Sequence, residues 1–203
     1  MPNNLYIADL HLGHKNIIAY DPRPFRDVDE MQSVLVENWN SAVKRNDTVY
    51  ILGDMFWKKE PREWVDVLSR LKGTKVLIRG NHDPKQFSEE VNKMFASVSD
   101  YKEIVDDGRK VILCHYPILM YNCSFQERSY MLCGHVHTTV ENELLEKYKD
   151  EIGRMRARGK APRGQIYNVG CMMPWMDYTP RTLDEIIEGY VSWRARQKEG
   201  QVL

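Results

Sequence analysis

An excess of charge of one sign, long apolar runs and regularly spaced cysteines are all missing from this sequence. Its 203 residues include 29 Lys or Arg and 29 Asp or Glu, so the formal net charge is zero and no overall field attracts nucleic acid or a membrane surface. No run approaches the roughly 18–20 apolar residues of a membrane-spanning helix, and residues 1–9 lack the basic and apolar regions of a signal peptide. We therefore expect a cytoplasmic protein without a membrane partner.

The cysteines form neither a CxxC pair nor a regular framework; they are Cys114, Cys123, Cys133 and Cys171. Cys114 and Cys133 lie in apolar runs, where a thiol behaves as a small hydrophobic group. Free thiols in a reducing cytosol are therefore the expectation. With 42% hydrophobic residues the chain can form the core of one domain, and we predict a single domain over residues 1–203.

What the sequence does contain is a series of short apolar runs, each of which ends at a polar motif. The runs occupy residues 5–8, 48–52, 75–79, 110–114 and 130–133. Near-continuous apolar runs are typical of strands that are buried on both faces. Ligands in layered α/β folds bind at the carboxyl ends of strands, which is where these motifs lie. The pattern predicts strands whose ends contribute to one site.

Helical patterns separate the strands in the first half of the chain. An apolar spacing that begins at Met31 predicts one helix, and a second begins near Pro61 and ends at Gly73. Thr182 and Glu185 have the spacing of a capping box that opens a C-terminal helix. Strands and helices alternate in the first half of the chain, and the second half is richer in strands. This order predicts an α/β fold with two stacked sheets flanked by helices.

Residues 141–164 depart from this alternation because they are dense in charge. The segment begins acidic and becomes basic between Arg154 and Arg163. Its apolar spacing is helical, so we predict a charged helical excursion on the single domain. The basic part could contact a nucleic acid backbone, although a solvated helix face is the preferred interpretation.

All six histidines lie in or beside the polar motifs, together with Asp and Asn side chains. The candidate metal ligands are Asp9, His11, Asp54, Asn81, His115, His135 and His137. Side chains at positions i and i+2 of a strand point to the same face, so Asp9 with His11 could chelate from one side. Mixed nitrogen and oxygen donors bind divalent metal ions. Seven ligands are too many for one tetrahedral ion, whereas two ions that share a carboxylate use all of them.

The charge of such a centre indicates its substrate. Two divalent ions and the carboxylates of Asp9 and Asp54 leave about +2, which suits a phosphate ester clamped by two metals. His82 is the histidine of the polar motifs that remains after the ligands are assigned. Its imidazole could donate a proton to the departing oxygen, and Asp83 could orient it.

The ordered motifs D-x-H, G-D, G-N-H-D, H and G-H-x-H, which run from residue 9 to residue 137, resemble the signature of the calcineurin-like metallophosphoesterase superfamily. The segments at 9–17, 23–25 and 167–170 are similar to a small bacterial and phage branch of predicted phosphoesterases. The resemblance implies a four-layer αββα sandwich of two mixed sheets flanked by helices, and it gives His82 the place of the catalytic histidine. It also implies that one ion is held by Asp9, His11 and His137 and the other by Asn81, His115 and His135. Asp54 would bridge the two ions.

Two further residues are candidate substrate contacts. His14 follows His11 by three residues, at a position where a packing or capping role is also common. Arg23 could hold a phosphate oxygen in a bidentate way, and a solvated loop arginine is the alternative.

Aromatic side chains also lie beside the motifs. Trp57, Tyr116 and Trp175 could stack on a base, but packing in the core or at the rim of the site is the preferred interpretation. The methionines at 172–176 surround Trp175 and indicate a hydrophobic packing or contact patch.

The sequence therefore predicts a hydrolase that uses two divalent ions (Mn²⁺, Fe²⁺, Ni²⁺ or Zn²⁺) and a metal-bound hydroxide to cleave a phosphate ester. A phosphodiesterase acting on nucleotides is preferred, because balanced charge argues against an extended duplex-binding nuclease. A phosphomonoesterase or a nuclease with the same centre, and a scaffold that has lost catalysis, are the alternatives. The native metal and the oligomeric state stay open.

Overall fold

The computed structural model describes residues 2–57, 60–159 and 161–199, and two four-stranded sheets form its centre. The first sheet has the order β1 (Asn4–Ile7), β2 (Thr48–Ile51), β3 (Thr74–Ile78) and β4 (Ser97–Ser99), with every neighbouring pair parallel. The second has the order β5 (Tyr101–Asp106), β6 (Arg109–Cys114), β7 (Ser129–Cys133) and β8 (Ile166–Asn168). Here β5 is antiparallel to β6 and the other pairs are parallel.

The predicted α/β architecture of two sheets flanked by helices is confirmed, and it differs in one detail. Only the second sheet is mixed, because the tight turn between β5 and β6 allows an antiparallel pair. The strands of the first sheet are joined through helical segments, as parallel strands require.

Six helices accompany the sheets in the described part of the chain: α1 (Ile17–Tyr20), α2 (Val28–Ala42), α3 (Pro61–Arg70), α4 (Glu89–Asn92), α5 (Val140–Arg158) and α6 (Leu183–Glu199). The start of α6 contains the predicted capping box. The backbone N–H of Thr182 donates to Glu185 Oε2 at 2.8 Å, and the Glu185 N–H donates to Thr182 Oγ1 at 3.4 Å.

The alternation of side chains along β6 shows how the layers pack. Val111 and Leu113 belong to the large core that includes residues of the first sheet and of α2 and α3, whereas Ile112 points to the other side. There it packs in a smaller cluster that contains Leu145 of α5. Successive strand residues face opposite sides of a sheet, so α5 covers the outer face of the second sheet.

The charged segment predicted at 141–164 is helical only in its first part. The helix α5 ends at Arg158, and the described residues 161–165 are irregular. The Thr139 side chain caps its start by accepting from the Glu141 N–H at 3.2 Å. Trp175 and the methionines at 173 and 176 are buried, so this patch is core packing rather than a contact surface.

The four cysteines are free thiols. Among residues 2–57, 60–159 and 161–199, no helix combines the length and the apolar composition that a membrane crossing requires.

Candidate metal centre

The seven predicted ligands come together at the carboxyl ends of five strands. The first sheet contributes Asp9 and His11 after β1, Asp54 after β2 and Asn81 after β3. The second sheet contributes His115 after β6 and His135 and His137 after β7. The Asp54 carboxylate lies in the middle of the group. Its Oδ2 atom is 3.8 Å from His11 Nε2, 3.6 Å from His115 Nε2 and 4.0 Å from His82 Nε2.

One group of ligands surrounds Asp9 on the buried side of the site. His11 Nε2 and His137 Nε2 are 3.2 Å apart, and His137 Nε2 is 3.8 Å from Asp9 Oδ1. These three residues offer one ligand atom each within 4.8 Å of one another. Asp9 and His11 are buried and His137 is half-buried.

A second group lies around the side-chain amide of Asn81. Its Oδ1 atom is 3.0 Å from His115 Nε2 and 2.9 Å from His135 Nδ1. Asp54 is 3.6 Å from the same nitrogen of His115. Asn81 is exposed and His135 half-buried, so this group opens to solvent.

The spacing of the donor atoms is compatible with the binding of divalent metal ions. Nitrogen and oxygen ligands bind at about 2.0–2.2 Å, so neighbouring donors around one ion are separated by roughly 3.0–3.5 Å. The distances of 2.9–3.8 Å described above approach that range. Two imidazole Nε2 atoms that face each other at 3.2 Å suit a shared cation between them better than a hydrogen bond alone.

Hydrogen bonds on the far side of the rings orient two of the histidines. His115 Nδ1 is 2.8 Å from the Leu52 carbonyl, and His137 Nδ1 is 3.2 Å from Asp21 Oδ2. Because a carbonyl or carboxylate oxygen only accepts, each Nδ1 carries the proton and each Nε2 presents its lone pair to the site.

The protonation of the site reflects its burial. Burial raises the pKa of Asp9 and, with the charge of His137, lowers the pKa of His11 to about 2, which keeps that ring neutral. Burial also opposes protonation of His137, but the hydrogen bond to Asp21 and the charges of Asp9 and Asp21 raise its pKa overall.

The backbone at these strand ends adopts a conformation that is rare outside glycine. Nine non-glycine residues in the described part of the chain have positive φ angles, and five of them are predicted ligands: Asp9, His11, Asp54, His135 and His137. Such strain persists only where the surrounding structure over-determines it. Gly80 lies close to the same site, and a Cβ atom at its position would collide with Asp54 Oδ1.

Asp83 has a different place from the one expected. It is buried and accepts three backbone N–H groups, from Asp54 at 2.9 Å, Met55 at 3.1 Å and Gly80 at 2.8 Å. The described contacts therefore tie the loop after β2 to the loop after β3, and none of them reaches the His82 ring. Burial raises the pKa of Asp83 to about 6.

His82 remains at the rim of the site. Its side chain is 41% exposed, and its backbone N–H donates to Asp54 Oδ1 at 2.9 Å. The ring lies 5.0 Å from Trp57 between centroids. The position is open to solvent and next to the ligands.

Arg23 is neither a solvated loop side chain nor placed to meet a substrate. Its side chain is 0% exposed, it donates to the carbonyl oxygens of Asp9 at 2.8 Å and Leu10 at 3.1 Å, and it pairs with Asp21 at 3.2 Å. This geometry does not favour the predicted phosphate contact, because the guanidinium faces the interior. Arg23 instead supports the strained backbone that presents Asp9.

His14 is buried and stacks on Trp57, with 3.7 Å between centroids and 5° between planes. The Nδ1 atom of His14 has no hydrogen-bond partner among the described residues. This stacking favours the packing role, in which His14 holds Trp57 beside His82, over the predicted contact with substrate.

Two residues of the site were not among the predicted ones. Asp21 orients His137, and Asn168 donates from Nδ2 to the His137 carbonyl at 3.0 Å while its Oδ1 accepts from Gly170 N–H at 2.9 Å. Asn168 lies in a segment that supported the family resemblance. Asp21 carries no sequence signal, since it contacts His137 from 116 positions away.

Comparisons with known proteins agree with this geometry. A sequence model of the family described as calcineurin-like phosphoesterase matches residues 5–151. The uncharacterized protein MJ1445 of Methanocaldococcus jannaschii is 37% identical over 138 residues, 68% of this chain and 70% of that protein. The gene 66 protein of Mycobacterium phage L5 is 35% identical over 97 residues, 46% of each chain. A protein of unknown function from Aquifex aeolicus, AQ665, has a similar structure, with a TM-score of 0.67, 28% identity and coverage of 93% of this chain and 99% of its own.

Proposed function

Because the chain belongs to the calcineurin-like phosphoesterase family, and is therefore a metal-dependent hydrolase of phosphate esters, we propose that it is a phosphodiesterase with two divalent ions. Nucleotide-type esters are the proposed substrates. We further propose that residues 1–203 form one such domain, with α5 as part of it. The central position of Asp54, between the two groups of ligands, is the observation that carries the proposal of two ions.

Each ion has its own ligands in this proposal. Asp9, His11 and His137 would hold one ion, Asn81, His115 and His135 would hold the other, and Asp54 would contact both. Two divalent ions in such a site lower the pKa of a bound water and neutralise the charge of the phosphoryl group. The donors are hard or borderline, so Mn²⁺, Fe²⁺, Ni²⁺ and Zn²⁺ all suit them.

His82 would act as the proton donor to the departing oxygen. Its ring is at the solvent-facing rim, 4.0 Å from Asp54 Oδ2, and a general acid must lie within reach of the leaving group. Asp83 contributes by holding the loops of Asp54 and Gly80 together, and the stacked pair of His14 and Trp57 limits where the His82 ring can move.

Two openings at the site support a diester over a monoester. One is lined by Trp57, His82 and Lys85, among others, and the second is lined by Tyr116, His135 and residues of α5. A phosphodiester has two organic substituents, whereas a monoester has one. The exposed rings of Trp57 and Tyr116 offer stacking faces of the kind that bases use.

The test is hydrolysis of bis(p-nitrophenyl) phosphate and of p-nitrophenyl phosphate by the metal-stripped protein, before and after addition of Mn²⁺, Ni²⁺ or Zn²⁺. We expect metal-restored turnover of the diester. Turnover of the monoester alone would replace the proposal with a phosphatase. Absence of turnover with two ions bound per chain would replace it with a binding protein.

The variant His82→Ala tests the proton donor. We expect kcat to fall by about 10²–10⁴-fold while the metal content, measured by mass spectrometry, stays at two ions per chain. The matched control is Gln86→Ala, which changes an exposed side chain of the same loop. Equal activities of the two variants would remove His82 from the mechanism.

A further inference from the structure

An apolar groove leads away from the candidate metal centre beside His135. Its cavity volume is about 410 Å³, within the range of sites that bind small organic molecules. One wall is the loop after β6, with Tyr116 and Leu119, and the other is the first half of α5, with Leu144 and Tyr148. A hydrogen bond from the Tyr148 hydroxyl to the Leu119 carbonyl at 3.2 Å joins the two walls.

The groove is continuous with the ligands of the second ion. His135 lines its inner end, and its Nδ1 atom is 2.9 Å from Asn81 Oδ1. The ring of Tyr116 packs edge-on against His135, with 4.6 Å between centroids. A group lying in the groove would therefore sit next to a phosphate held at the centre.

The charge of the groove selects what it can hold. Among the described residues that line it, none is Lys or Arg, and one, Glu141, is acidic. A second phosphate or a continuing nucleic acid strand would meet no cation there and one carboxylate. An uncharged aromatic or aliphatic group would bury apolar surface of Tyr116 and Leu144, which are 47% and 58% exposed.

The other opening of the site differs from the groove in charge and in chemistry. It is lined by His82 and Lys85 and by the exposed face of Trp57, and it shares no lining residue with the groove. Because His82 is the proposed proton donor, the departing alcohol belongs on that side. The groove then receives the substituent that stays attached to phosphorus.

We propose that the groove between Tyr116 and α5 binds the uncharged, aromatic or apolar substituent that the phosphodiester retains. This inference rests on the proposed phosphodiesterase function and narrows it to diesters with one such substituent. It also gives a role to α5, which begins three residues after His137 and lies outside the ordered motifs.

The experiment compares methyl p-nitrophenyl phosphate with phenyl p-nitrophenyl phosphate, which share one leaving group and differ in the retained substituent. The phenyl group also alters intrinsic reactivity, so the decisive quantity is how a variant changes the ratio of the two kcat/KM values. We expect Leu144→Gln to lower the phenyl-to-methyl ratio by about tenfold, mainly through KM. Met155→Gln is the matched control, since Met155 is a 49% exposed apolar residue of the same helix outside the groove.

Equal ratios in the wild type, Leu144→Gln and Met155→Gln would overturn the inference while leaving the phosphodiesterase intact. Failure to hydrolyse either ester with any metal would instead refute the proposed function. In that case calorimetric binding of diphenyl phosphate and dimethyl phosphate decides the inference without turnover. A preference for diphenyl phosphate that Leu144→Gln removes and Met155→Gln retains supports it, and any other pattern overturns it.

Discussion

The two ligand groups of the candidate centre differ in burial, although the same carboxylate stands between them. In the first group the side chains of Asp9 and His11 are at most 3% exposed and that of His137 is 15% exposed. In the second group His115 is buried, but His135 is half-buried and Asn81 is exposed. Both openings of the site adjoin the exposed group. In the proposed two-ion centre, the more buried group would hold its ion within the fold, and the more exposed group would form the face at which substrate binds.

Replacement of Asp54 should affect both ligand groups and have the largest effect on metal binding and kcat. In Asp54→Asn the central ligand loses its charge while its Oδ1 can still accept from the His82 N–H. We expect both ions to bind weakly and kcat to fall by at least about 10³-fold, or about 4 kcal/mol of barrier. Metal content and turnover of the diester measure the two effects. Retention of two ions with activity within tenfold of wild type would show that Asp54 is not shared.

Removal of one ligand from the exposed group alone tests whether the two groups bind their ions independently. We expect Asn81→Ala to bind one ion per chain instead of two, with an affinity for the second at least about 10²-fold lower. The remaining ion should be the buried one. Chelation by EDTA should then proceed in two phases for the wild type and lack the faster phase in the variant.

A single phase in both proteins would contradict the proposed difference between the groups. Gln86→Ala, five residues further along the same loop, is the control, and it should retain the wild-type time course.

The proximity of the predicted ligands could be expected because each follows a strand whose apolar run is visible in the sequence. Val49 and Ile51, for example, are fully buried, and the run that contains them ends directly before the Gly53-Asp54 motif. Since parallel strands place their carboxyl ends at one edge, their sequence order was enough to gather the motifs. β4 and β8 were harder to identify because they have only three residues each, and β5 because its exposed and half-buried residues alternate without a continuous apolar run.

Contacts that depend on the packing of distant segments could not be predicted. Arg23 lies in a loop sequence that is typical of a solvated side chain, yet it is buried against the carbonyls of Asp9 and Leu10. Asp83 follows His82 directly, which favoured a contact between them, but its carboxylate bonds to the loop after β2 instead. In both cases the partners include backbone groups, and backbone groups leave no mark on the sequence pattern.

The smallest expected effect concerns the residue that orients a ligand of the buried group. Asp21 accepts from the Nδ1–H of His137 at 3.2 Å, and we expect Asp21→Asn to weaken metal binding at the buried group by about 10–100-fold. Thr138→Val is the matched control, because it removes a different hydrogen bond to Asp21, from Thr138 Oγ1 at 3.0 Å, and leaves those from His137 and Arg23 in place.

Competition with a fluorescent chelator measures both affinities, and thermal unfolding of the metal-free proteins separates loss of orientation from loss of stability. Asp21 also pairs with the buried Arg23, so Asp21→Asn should lower the melting temperature as well. If the two variants bind metal equally well, the carboxylate does not orient His137. If only Asp21→Asn binds metal weakly, binding of the buried ion depends on the hydrogen bond that orients His137 as well as on the ligands themselves. His115 has the same arrangement with the Leu52 carbonyl, a partner that no side-chain substitution can remove.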